Sequence, residues 1–138
     1  MAVHFTHCAL HVRDVDASIA FYDTYCGLKV VHEHGEGAGR TVWLGEEGRE
    51  ADFVMVLVPG GSSQHRADGD MTHYGFALDS RAAVDRIARR GREAGCLFWE
   101  PQAFPDPVGY LCALEDPDGY VVEFSHGQPL GPGAGGLP

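Results

Sequence analysis

Glu115-Asp116-Pro117-Asp118-Gly119-Tyr120-Val121-Val122-Glu123-Phe124 carries a tight turn followed directly by an apolar strand with one carboxylate in it. Proline suits the first central position of a turn and glycine supplies the positive φ a reversal needs, so 116–119 turns the chain back. Tyr120 to Ser125, rich in β-branched and aromatic residues, reads as the strand that leaves the turn. Tyr110 to Leu114 reads as the strand that enters it. Alternation puts Val122 and Phe124 on one face of the last strand, and Val121, Glu123 and Ser125 on the other. A carboxylate in so apolar a strand is costly to bury without a partner, so Glu123 raises the question of what it faces.

Upstream of that hairpin lies a strand over Leu97 to Ala103. Before it comes a helix capped by Ser80, with Val84, Ile87, Ala88 and Ala94 on one face and Gly95 at its end. A strand over His73 to Leu78 opens the series. The same order occurs earlier in the chain. Phe5 to Val12 is a strand, and Asp14 or Asp16 caps a helix with Ile19, Tyr22 and Cys26 at helical spacing, ended by Gly27. Strands follow over Leu28 to His34, Arg40 to Leu44 and Asp52 to Val58, closed by Pro59-Gly60-Gly61.

The chain therefore reads as α+β, two βαβββ modules forming a cupped mixed sheet with helices on its outer face. We expect one domain over 1–126, with module one at about 4–59, a linker at 60–72 and module two at about 73–126. A Gly/Pro-rich tail over 127–138 should be flexible or draped.

Strand faces then select a site. Leu10 and Val12 should pack under the first helix, leaving His7, Ala9 and His11 opposite. Tyr74, Phe76 and Leu78 take the helix side of the fifth strand, leaving His73, Gly75 and Ala77 opposite. His7, His73 and Glu123 thus all lie on the non-helical face. Two imidazoles and one carboxylate make a three-point face on a divalent ion and leave positions open for water and substrate. In the overlay of the two modules the position that answers Glu123 is Val56, which cannot bind metal. His11 shares a face with His7. His32, His34 and His65 fall in polar or loop-like segments and read as solvated.

Composition limits the alternatives. At 138 residues with 44% hydrophobic and 22% charged content, the chain is an ordinary globular one. Twenty acidic residues against ten basic ones give a net charge of −10, which disfavours nucleic acid and anionic membrane as partners. No stretch has the roughly 18 apolar residues of a membrane helix, and the N-terminus lacks a signal-peptide layout, so a cytoplasmic location is expected. Cys8, Cys26, Cys96 and Cys112 show no metal or redox spacing and read as reduced, mostly buried thiols.

The run Thr6-His7-Cys8-Ala9-Leu10-His11-Val12-Arg13-Asp14, with Ser18-Ile19-Ala20-Phe21-Tyr22 and Gly27-Leu28, resembles the opening of the vicinal oxygen chelate superfamily of glyoxalases, bleomycin resistance proteins and extradiol dioxygenases. The run Glu115 to Phe124 resembles its closing motif, and the likeness spans about residues 4–126. The resemblance implies paired βαβββ modules, a homodimer, and a divalent metal chelated by oxygens of a small-molecule substrate. It places metal ligands at His7, His73 and Glu123. Many glyoxalases and epimerases carry Glu or Gln where this chain has Val56. The extradiol dioxygenase motif has Tyr where this chain has Ala113. A three-ligand set is more like the dioxygenases and the fosfomycin-modifying thiol transferases.

The function expected on these grounds is a divalent-metal-dependent, glyoxalase- or dioxygenase-like enzyme acting on a substrate with two neighbouring oxygens. The ion could be Fe, Mn, Zn, Ni or Co. Glu123 is either a ligand throughout or a base. Tyr110 is either a proton donor or a packed structural residue, and Trp99 lies on a strand that would wall the cup. The alternatives are a non-catalytic drug-binding module of the bleomycin-resistance kind and a domain that keeps the site without the chemistry.

Overall fold

A computed structural model of the chain describes residues 1–136. The described residues divide into two compact units, the first ending at His65 and the second beginning at Arg66. In the first, β1 (His7–Val12), α1 (Val15–Cys26), β2 (Lys29–His34), β3 (Thr41–Gly45) and β4 (Val54–Pro59) follow in order. In the second, β5 (Tyr74–Ala77), α2 (Arg81–Glu93), β6 (Leu97–Phe104), β7 (Gly109–Glu115) and β8 (Val121–His126) repeat that order. Each unit is a βαβββ module built on one four-stranded mixed sheet. The strand orders, β1-β4-β3-β2 and β5-β8-β7-β6, are the same order twice. In each, the strand before the helix runs parallel to the last strand, and the other pairs are antiparallel.

Local chemistry sets the ends of the elements. Of the two candidate caps for α1 the structure uses Asp14, whose carboxylate accepts from Ala17 N at 3.1 Å. The helix stops at Gly27, whose φ of 67° closes it in the left-handed region. The buried stripe of α1 is Val15, Ser18, Phe21 and Tyr22, so Ile19 and Cys26 lie at its margin. Ser80 caps α2 by accepting from Ala83 N at 3.1 Å. The turn into β8 is held by Asp116, whose Oδ1 accepts from the backbone N–H groups of Asp118 and Tyr120, each at 2.9 Å. Gly119 has the expected positive φ, 91°. Arg66 clamps the same turn, donating to Glu115 Oε1 at 2.8 Å and to the Gly119 carbonyl.

The helix-facing core of the first unit is Leu10, Val12, Val42, Leu44, Met55 and Leu57 under Tyr22. That of the second is Cys112, Leu114, Val122 and Phe124 under Val84 and Ile87. Gly91 lets α2 sit close to β7, because a Cβ there would collide with the Leu114 side chain. All four cysteines are free thiols, though only Cys112 is fully buried and the other three are half-buried. No helix among the described residues is long and apolar enough to cross a membrane. Beyond β8 the tail makes a turn near Gly131 and no strand or helix through residue 136. The rest of the expected tail, 137–138, lies outside the described residues.

Candidate metal centre

The last strand presents Glu123 as the alternation requires, with Val122 and Phe124 fully buried on the helix side. Glu123 is itself only 9% exposed. Its ladder partner on β5 is Gly75, and on β7 it is Ala113. These two small neighbours leave room around the carboxylate. A Cβ on Gly75 would stand 3.2 Å from Glu123 Oε2, tighter than such contacts normally run.

His73 lies just before β5, two residues ahead of Gly75, and turns its ring to Glu123. Its Nε2 is 3.4 Å from Glu123 Oε1. Its Nδ1 is 2.6 Å from the Met71 carbonyl oxygen. A carbonyl can only accept, so Nδ1 carries a proton. In the neutral ring Nε2 is then a lone pair, and it faces a carboxylate oxygen. Two acceptors aimed at each other, one of them a buried carboxylate, need a cation between them: either a proton on Nε2, which makes the contact an ion pair, or a metal ion. Two donors each about 2.1 Å from one ion stand about 3 to 3.4 Å apart, so the spacing suits a divalent metal. A backbone carbonyl on the far nitrogen is also the usual way a metal-binding imidazole is oriented. The donor set therefore fits the group.

The remaining contacts support this pair. Trp99 packs its indole edge-on against His73, ring centres 5.2 Å apart. Gln128 donates from Nε2 to Glu123 Oε2 at 3.5 Å. Alternation puts Gly75 on the face of His73, while Gln128 and the Met71 carbonyl carry no signal in the sequence. A glycine inside a strand also marks a close approach. His7 opens β1 in the other unit, exposed, with Nδ1 3.0 Å from the Thr6 hydroxyl. Among the described residues no three His, Cys, Asp or Glu side chains form a ready metal cluster.

The register relates the modules residue by residue. In the second sheet a row runs Gly75, Glu123, Ala113, Trp99. In the first the corresponding row is Ala9, Val56, Trp43, His32. His7 precedes Ala9 by two places, as His73 precedes Gly75.

Residues 4–124 match the Glyoxalase/Bleomycin resistance protein/Dioxygenase superfamily. The chain belongs to this superfamily. It is 54% identical over 138 residues to the uncharacterized protein PA2024 of Pseudomonas aeruginosa, covering all of this chain and 99% of that one. It is 27% identical over 133 residues to the lactoylglutathione lyase of Salmonella typhimurium, covering 94% of this chain and 96% of the lyase. Among solved structures, the fosfomycin resistance protein FosX of Listeria monocytogenes, complexed with Mn(II) and sulfate, superposes with a TM-score of 0.73. That pair is 18% identical and the match covers 93% of each chain, so it speaks to the fold.

Against this superfamily frame the other candidate residues sort clearly. Tyr110 does not share a face with Glu123. It stands three places from Ala113, the ladder partner of Glu123, and so points to α2. There its hydroxyl donates to Asp85 Oδ1 at 2.6 Å, and the Arg81 guanidinium lies 4.4 Å from the ring centre. The bond to Asp85 holds the phenolic proton and pushes its pKa up. The Tyr110 hydroxyl is thus engaged by Asp85 on the helix side, on the opposite face of β7 from Ala113. His11 bonds the Pro59 carbonyl through Nε2 at 3.1 Å. His32 and His34 are exposed as expected and stand on β2, within the strand expected over Leu28 to His34, with ring nitrogens 3.2 Å apart. His32 packs on Trp43, centres 4.8 Å apart. A bulge between Val30 and His32 sets that face. On the same face of the first unit a cleft of about 500 Å³ is lined by His7, Ala9, His34, Trp43, Phe53 and Val56, among others.

Proposed function

We propose that this chain is a divalent-metal-dependent enzyme of the glyoxalase/dioxygenase type. Its substrate is a small molecule that chelates the ion through neighbouring oxygens. His73 and Glu123 hold the ion, and His7 supplies the third donor. The observation that carries this reading is the bond of His73 Nδ1 to the Met71 carbonyl, which turns Nε2 onto a buried carboxylate. The Mn(II) of the FosX crystal structure and the lactoylglutathione lyases among the relatives support it. We also propose a homodimer, as the family reading implies.

The bound ion supplies Lewis acidity to the substrate oxygens. The chain does the rest. His73 is held in one tautomer and one ring orientation by Met71 and Trp99. Glu123 has one oxygen committed toward His73. Its other oxygen, Oε2, has a long contact from Gln128 and is the atom suited to take a proton from substrate and return it. The apolar strand around it strengthens every charge interaction made there. Val56 provides no carboxylate in the first module. That leaves a three-donor site and separates this reading from the lyase reaction of the relatives.

Elemental analysis by mass spectrometry, on protein purified without chelators, tests the reading. About one divalent transition metal per site in the native chain, lost in both Glu123→Ala and His73→Ala, is the expected result. A chain that stays metal-free after reconstitution, or variants that keep the native metal content, would overturn it.

A further inference from the structure

The cleft on the open face of the first sheet has a composition that the metal reading alone does not require. Its lining includes Ala9 and Val56, which are ladder neighbours, and the aromatic rings of Trp43 and Phe53. Trp43 is directly across the ladder from Val56 and keeps 38% of its surface exposed. His7 lines the same cleft. An apolar path thus runs from the strand of the proposed metal ligand to an open indole. In the second module the same ladder position holds a charged side chain, Glu123.

We infer that this cleft seats an aromatic ring carried by the substrate beside its chelating oxygens. The inference rests on the metal reading, with His7 as a ligand, and names the substrate class for that site. The volume, about 500 Å³, lies within the range of small-molecule pockets. β1 and β3 stand about 10 Å apart with one strand between them. A chelating head group bearing one aryl ring fills that width, and a two-carbon head group does not. An exposed indole beside aliphatic side chains favours a flat apolar partner, and the Glu50 carboxylate at the same lining disfavours an anionic one. His34 and Thr41, at the same lining, offer hydrogen-bonding groups to a ring substituent.

Two hydroxamates that present the same pair of oxygens test this. Acetohydroxamate carries a methyl group and benzohydroxamate a phenyl ring. Each is titrated into the Co(II)-loaded full chain, with the cobalt absorption bands reporting chelation and calorimetry giving the affinity. Benzohydroxamate should bind at least tenfold more tightly. Trp43→Ala should cut that preference to threefold or less and leave acetohydroxamate affinity unchanged. Any preference that persists in Trp43→Ala belongs to the chelating group and not to the cleft. Should Trp43→Ala fail to fold, Val56→Thr, nearly isosteric, must lower the phenyl preference instead. Equal affinities, or a preference untouched by the variant, would overturn the inference while the cobalt bands still move. Cobalt bands that respond to neither hydroxamate would overturn the metal reading and this inference together.

Discussion

Val56 holds in β4 the ladder position that Glu123 holds in β8. Val56 lies opposite Ala9 and Glu123 opposite Gly75, two places after His7 and His73 respectively. The modules share a strand order and a register, and differ in what they place at this point.

That difference yields a prediction about the first module. Val56→Glu should raise the affinity for the divalent ion, because it returns a carboxylate to the row that contains Ala9. The new side chain would meet the Ala9 methyl where Glu123 meets only hydrogen. The double variant Val56→Glu with Ala9→Gly should therefore bind metal about tenfold more tightly than Val56→Glu alone, about 1.4 kcal/mol. Competition against a chelator of known affinity measures both steps.

Gly75→Ala should separate site from fold. The added Cβ would sit 3.2 Å from Oε2 and 3.5 Å from Cβ of Glu123, so the carboxylate must shift. Metal affinity should fall about tenfold or more, since a ligand moved from its place is lost. Thermal stability should change by no more than about 1 kcal/mol, because alanine relieves the backbone entropy cost of glycine. Chelator competition and thermal denaturation on the same preparation check the two effects.

Metal content should depend on pH in one direction. An imidazole binds metal only through its neutral form, whose ordinary pKa is about 6.5. Protons therefore compete with the ion for each ligating histidine, and affinity should fall as pH falls. Dialysis at pH 7.5 and at pH 5.5 followed by elemental analysis should show metal retained at the first and lost at the second.

Tyr110→Phe should leave metal binding alone. It removes the 2.6 Å hydrogen bond to Asp85 on the helix side, at a cost of about 0.5–1.5 kcal/mol in urea denaturation. Native metal content in that variant would agree with a structural role for Tyr110, and a lost ion would contradict it.

Cys112 adds an alkaline limit. Burial pushes its thiol from 9.0 up to about 12. A group whose folded pKa is raised contributes stability below its unfolded pKa and loses it as pH rises through the folded value. Stability should therefore decline between about pH 9 and pH 12, and Cys112→Ala should soften that decline in pH-dependent denaturation.

Much of this was legible in the sequence because punctuation and period agree. Gly27, Gly95 and the Asp116–Gly119 turn delimit the elements, and alternation placed Glu123 opposite Val122 and Phe124. What escaped depends on contacts that have no local pattern. The bond that orients His73 goes to a main-chain oxygen at Met71, outside any strand, and any residue at that place has such an oxygen. The face of Tyr110 follows from its offset to Ala113, which matters only once the pairing with Glu123 is known. The strand carrying His32 and His34 was legible, but the bulge between Val30 and His32 hides which face the two rings take. The cleft draws Phe53 from the edge of β4, which period-two reasoning reaches only partly.

The repeated register also bears on how such a chain can change. On this reading the ion depends on Glu123 and the two histidines, and nothing at position 56 is needed to keep it. Inherited variation at Val56, Trp43 or Phe53 can therefore reshape what fits the cleft without dismantling the chemistry. The ligand positions can act as the anchor and the cleft positions as the tailor, and new substrate preferences become reachable by single steps.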